Sequence, residues 1–118
     1  MKKYSLLYFQ QIDDNNSKWI FPLHNGENII GSDKDVDIFL YLNNKEDFIE
    51  LVHAKIILEE SKNIVSIINL STIATMKKLD NKIKISLSPL KVYELSDKSV
   101  FFLSENSKFI LIKGTIEE

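Results

Sequence analysis

The chain has 118 residues, with fifteen lysines, no arginine, no cysteine and a formal charge of −2. Without cysteine there are no disulfides, thiolate metal sites or thiol nucleophiles, and an intracellular protein is expected. The near-neutral balance offers no electrostatic case for nucleic acid or an anionic membrane, and no apolar run reaches the ~18–20 residues of a membrane-crossing helix. The start Met1-Lys2-Lys3-Tyr4 lacks the apolar centre of a signal peptide. The length suits one compact domain over residues 1–118 with a core of its own and a short flexible tail from about Gly114.

In chain order the pattern predicts strands almost throughout. Ser5-Leu6-Leu7-Tyr8-Phe9 is a short apolar run, ended by five turn-formers, Asp13-Asp14-Asn15-Asn16-Ser17. Trp19-Ile20-Phe21 follows, closed by Pro22, and His24-Asn25-Gly26 carries an Asn-Gly hairpin signal into Asn28-Ile29-Ile30. Ile38-Phe39-Leu40-Tyr41-Leu42 has strong β-propensity, and the middle of residues 40–51 could form a helical turn. Ala54-Lys55-Ile56-Ile57-Leu58 and Ile64-Val65-Ser66-Ile67-Ile68 flank a polar turn at residues 59–63. Asp80-Asn81-Lys82, Ser96-Asp97-Lys98 and Ser104-Glu105-Asn106-Ser107 separate the later strands, including residues 90–95, 100–103 and 109–112. Short strands at such spacing, without a 3.6-residue period, predict an all-β sandwich of about ten or eleven mostly antiparallel strands.

The stretch through Asn28-Ile29-Ile30-Gly31, Val36-Asp37-Ile38-Phe39-Leu40 and Val52-His53-Ala54-Lys55-Ile56 resembles forkhead-associated (FHA) domains, which recognise phosphothreonine. The segment from Phe21 to Gly31 is similar to the N-terminal FHA domain of mediator of DNA damage checkpoint proteins. The resemblance covers roughly residues 6–112 and implies the FHA sandwich, a nuclear DNA-damage-response scaffold, and self-association.

Where that family carries Gly-Arg, this chain has Gly31-Ser32; where it places a phosphate-binding Ser three residues before a His, it has Glu50 before His53. The family's third loop holds an Asn, whereas Ser71-Thr72-Ile73-Ala74-Thr75 has none. A guanidinium fork makes two charge-assisted bonds to phosphate, a serine one neutral bond, and a carboxylate repels the dianion. The degenerate phosphopeptide site is therefore Ser32, Glu50, Ser71, Thr72 and Ile73, with Gly31 and His53 as structural braces. Lys34 or Lys55 could substitute in a rearranged, lysine-based pocket that still binds phosphopeptides, which is the alternative reading. The hydroxyls of Ser71 and Thr72 read as solvated turn groups.

The remaining candidates have plainer readings. His53 has no nucleophile motif around it, so the chain is read as a non-enzyme. His24 is a turn residue and Trp19 a packing anchor. Two histidines without cysteine make no metal site, and Asp33, Asp35 and Asp37 form a solvated acidic turn rather than a calcium loop. No cofactor, nucleic acid, membrane or small-molecule substrate is expected. The surplus is apolar: with Ile38 and Leu40 inward, Phe39 and Tyr41 point out, and Phe48, Leu51 and Ile73 fall on the loops. Phe39, Tyr41, Phe48, Leu51 and Ile73 are the candidate homodimer interface.

Overall fold

Apolar residues recur at every second position of the central strands, and strand register turns that alternation into two facing inner surfaces. The computed structural model describes residues 3–12, 15–40, 49–71, 76–104 and 107–114. Its eleven strands are β1 (Tyr4–Ile12), β2 (Asn15–Pro22), β3 (Gly26–Gly31), β4 (Ile38–Phe39), β5 (Ala54–Glu59), β6 (Ile64–Asn69), β7 (Lys77–Asp80), β8 (Ile83–Ser86), β9 (Val92–Leu95), β10 (Val100–Ser104) and β11 (Ser107–Lys113). They form a six-stranded sheet ordered β2-β1-β11-β10-β7-β8 and a five-stranded sheet ordered β4-β3-β5-β6-β9. Every pairing between these strands is antiparallel except β3 with β4. The all-β sandwich of about ten or eleven mostly antiparallel strands expected from strand spacing is what the described residues form.

The core lies between the sheets. Leu6, Phe101 and Leu111 from the larger sheet meet Ile30, Ile56 and Ile67 from the smaller, all fully buried. Phe101 and Phe109 stack with ring centroids 5.1 Å apart, and Phe109 lies 4.7 Å from Tyr8. Such rings bury large apolar areas and favour offset contact. Trp19 extends this aromatic group, 5.4 Å from Tyr8, although it is 42% exposed. Phe101 faces the core while Phe102 lies half-buried on the outer side.

Several local expectations change. Of the turn-formers at residues 13–17, Asn15, Asn16 and Ser17 belong to β2, paired with Ile12, Gln11 and Gln10 of β1, and residues 13–14 lie outside the described residues. The Asn-Gly signal does not close a hairpin. Among the described residues β2 pairs only with β1, and β3 pairs with β4 and β5, so residues 23–25 carry the chain from one sheet to the other. Buried Asn28 fixes that corner: its Oδ1 accepts the His24 N–H, and its Nδ2 donates to the carbonyls of His24, Gly26 and Ile56. The expected turn at Asp80-Asn81-Lys82 does form and closes a hairpin, with Asn81 and Lys82 both at positive φ between β7 and β8. The polar turn after β5 is a 3-10 turn over Glu60–Lys62 that ends on Asn63 in the left-handed region. Of the predicted strand over residues 38–42, β4 takes in Ile38 and Phe39, Leu40 follows it outside the strand, and residues 41–42 lie outside the described residues. The middle of the predicted helical turn lies outside the described residues, as does the tail beyond Gly114, whose N–H still donates to the Lys3 carbonyl.

Candidate functional site

Three connections meet at one end of the sandwich: residues 32–37 after β3, the stretch ending at residues 49–53 before β5, and the one that begins at Leu70 after β6. Their junction is set by Gly31. A Cβ there would overlap the Leu51 carbonyl oxygen and lie 2.7 Å from its carbon, so only glycine lets the second loop cross β3 so closely. The crossing is stitched by backbone bonds from Ser32 N–H to Glu50 O at 3.0 Å and from Asp33 N–H to Leu51 O at 3.2 Å. The Ser32 hydroxyl donates to Ile49 O at 2.9 Å, so its one proton is used inside the loop junction.

His53 is fully buried beneath this crossing. Its backbone N–H donates to Ile30 O and its carbonyl accepts the Leu70 N–H, tying β3 to the third loop. The ring reaches in two directions. Nδ1 accepts the Glu50 N–H at 3.1 Å, which leaves the proton on Nε2, facing Leu103 O of β10 at 3.0 Å. A neutral imidazole satisfies both partners, whereas an imidazolium would oppose one N–H to another. Burial pushes His53 below its ordinary pKa, against smaller opposing effects of the Leu103 bond and the Glu50 charge. The ring thus links the loops to the opposite sheet.

The third loop starts from a residue that sequence reasoning does not single out. Asn69 is buried; its Oδ1 accepts both the backbone N–H and the hydroxyl of Ser71, and its Nδ2 donates to Leu87 O. Ser71, expected as a solvated turn hydroxyl, is instead buried and donating. The missed signal was an asparagine two residues before a serine, the spacing of a side-chain-capped turn. Lys55, considered as a substitute cation, does not serve the loops: its ammonium pairs with Glu27 at 3.1 Å on the outer face of the smaller sheet. Lys34 is the one lysine among the described residues of the three loops. Tyr41, Phe48, Thr72 and Ile73 lie outside the described residues.

The acidic turn has separate tasks for its carboxylates. Asp33 Oδ1 accepts the Asp35 N–H. Asp37 accepts the Ile29 N–H at 2.7 Å and meets His24 Nε2 at 3.1 Å, clasping the first loop to the corner between the sheets. The Ile29 N–H, and then His24, hold Asp37 below the usual carboxylate range. His24 is raised, first by the Asn25 carbonyl at its Nδ1 and then by Asp37.

Around this polar framework stand exposed apolar side chains. Phe39, paired in register with Gly31, is 50% exposed, and Leu51, whose carbonyl covers Gly31, is 66% exposed. Ile38 and Leu40 are buried, as alternation required. Val52 is also exposed and was not singled out from the sequence, because a loop valine has no periodic pattern to place it.

No protein-family model and no curated protein sequence matches the chain. Solved structures do. The Rv0020c FHA structure is 20% identical, with a TM-score of 0.67 over 96% of this chain and 94% of its own. Full-length yeast Pml1p is 17% identical, with a TM-score of 0.70 over 95% and 82%. The FHA domain of human APLF, solved with an XRCC1 bisphospho peptide, is 18% identical, with a TM-score of 0.64 over 93% and 99%. Likeness at such low identity is likeness of architecture: the chain has the FHA fold.

Proposed function

We propose that this domain is a non-catalytic protein-interaction module that has given up phosphothreonine readout and associates with itself through its loop surface. The observation that carries this reading is the Ser32 hydroxyl. It follows the junction glycine, where the resemblance expects a phosphate-binding arginine, and it donates to Ile49 O instead. A chain without arginine has no guanidinium to replace it, and Glu50 lies in the same junction. Phe39, Leu51 and Val52 stand exposed around Gly31 and suit an apolar contact between two copies. The other sequence candidates, Tyr41, Phe48 and Ile73, adjoin these loops along the chain. A nuclear damage-response scaffold is the setting that the sequence resemblance supports.

Light scattering over a concentration series tests the self-association. A dimer by tens of micromolar is expected, with Leu51→Glu giving a folded monomer; a wild-type monomer throughout that range overturns the reading. Because the contact is apolar, added salt should leave the dimer intact.

A second reading, phosphopeptide binding through Lys34, draws on structural relatives that include the phosphopeptide complex of APLF. Titrating a phosphothreonine peptide library separates the two. Binding weaker than millimolar, a bound of roughly 4 kcal/mol, supports the first. Micromolar phosphate-dependent binding that is lost in Lys34→Ala supports the second.

A further inference from the structure

The outer face of the six-stranded sheet carries an arrangement that neither the loops nor the core uses. Register sets Ile20, Leu7, Ile110 and Val100 side by side across β2, β1, β11 and β10. Two residues further along the strands, the adjacent row reads Lys18, Phe9, Lys108, Phe102 and Lys77, from β2 to β7. Lys84 of β8 joins it, its ammonium 4.5 Å from the centre of the Phe102 ring, and the Lys108 ammonium lies 5.6 Å from that of Phe9. Among the described residues of these strands, no aspartate or glutamate falls on this face. In a chain of net charge −2, four lysines are thus gathered beside an aliphatic row.

We propose that this face docks an acidic amphipathic helix of a protein partner. The aliphatic row crosses four strands, about 14 Å at the usual strand spacing. About ten helical residues cover the same distance at ~1.5 Å each. A helix laid along the row buries its apolar stripe on Ile20, Leu7, Ile110 and Val100 and brings one flank over the lysine row, where carboxylates are complemented. The two alternatives fit less well. Single-stranded nucleic acid needs open ring faces for stacking, and each phenylalanine has a lysine over its ring. A membrane needs protruding apolar side chains, and of the apolar residues in the two rows only Ile20 stands well exposed, at 44%, while the others are half-buried. The surface shares no residue with the proposed dimer contact, so failure of either proposal leaves the other standing.

The probe is a fluorescein-labelled peptide of about fourteen residues, with leucines at helical spacing and glutamates along one flank, read by anisotropy and by amide shifts of the labelled domain. Saturable binding is expected, with shifts on β1, β2, β10 and β11. It should weaken about tenfold or more in the double variant Lys77→Glu with Lys108→Glu, and in Ile20→Asp. Ile20 is on the edge strand and exposed, so its variant carries the test if the double variant does not fold. Equal binding of a peptide with lysines in place of the glutamates overturns the proposal. So do shifts confined to the loops around Phe39 and Leu51, or tighter binding to oligo-dT or to phosphatidylserine vesicles.

Discussion

The two ends of β3 each hold a glycine and a histidine, and the two pairs work by opposite physics. At the loop junction Gly31 is required for space, and His53 is buried, neutral and bonded to a donor on one side and an acceptor on the other. At the corner between the sheets Gly26 is required for its φ of +99°, with nothing within 4 Å of where a Cβ would stand, and His24 is exposed with an acceptor at each ring nitrogen. The same residue types therefore give a buried, neutral brace in one place and an exposed clasp on the Asp37 carboxylate in the other. Burial decides which.

The sharpest way to break that contrast is Gly31→Ala. The added methyl has nowhere to go unless the crossing loop lifts, which breaks the bonds from Ser32 and Asp33. A loss of about 4 kcal/mol or more, or failure to fold, is expected in denaturant titration. His53→Ala comes next. It removes the ring that bonds the Glu50 N–H and the Leu103 carbonyl and opens a cavity, and should cost about 3 kcal/mol. Gly26→Ala should cost only about 1 kcal/mol, since the strain is confined to backbone conformation. If Gly26→Ala proved as damaging as Gly31→Ala, the distinction between space and φ would fail.

The smallest effect is also the most specific to the histidines. The folded pKa of His53 lies below its ordinary 6.5, so the unfolded chain binds more protons as pH drops through and below that value, and the stability contributed by neutral His53 is lost there. His24 is raised above 6.5; its contribution is present below 6.5 and is lost as pH rises through the folded value. Thermal melts from about pH 5 to 8 should show His53→Gln flattening the acid side of the profile and His24→Gln the alkaline side. The His24 change is expected to be the weaker, because that ring is exposed to solvent and salt.

Much of the sandwich was legible because its signals are local. Alternation placed Ile38 and Leu40 inside and Phe39 outside, and the turn-formers Asp80-Asn81-Lys82 marked the break between β7 and β8. What failed depended on partners distant in sequence. The Asn-Gly pair reads as a hairpin because local chemistry cannot show that β2 and β3 belong to different sheets. Ser71 reads as solvated because the Asn69-to-Ser71 spacing, although local, does not reveal that Asn69 is itself buried and anchored to Leu87, 18 residues on. The lysine and aliphatic rows were invisible for the same reason: each draws consecutive members from strands that lie up to about a hundred residues apart.

The position of β11 has a consequence for how the chain reaches its native state. It lies between β1 and β10, so among the described residues the β1–β2 hairpin joins the rest of its sheet only through β11. Pairing Tyr4 with Lys113 closes almost the whole chain into a loop, an entropic cost met before Phe109 and Leu111 return any burial. Folding should therefore be slow for so small a domain, in the millisecond-to-second range typical of non-local β topologies. Until β11 pairs, Leu6 and Tyr8 of the β1–β2 hairpin should stay largely uncovered.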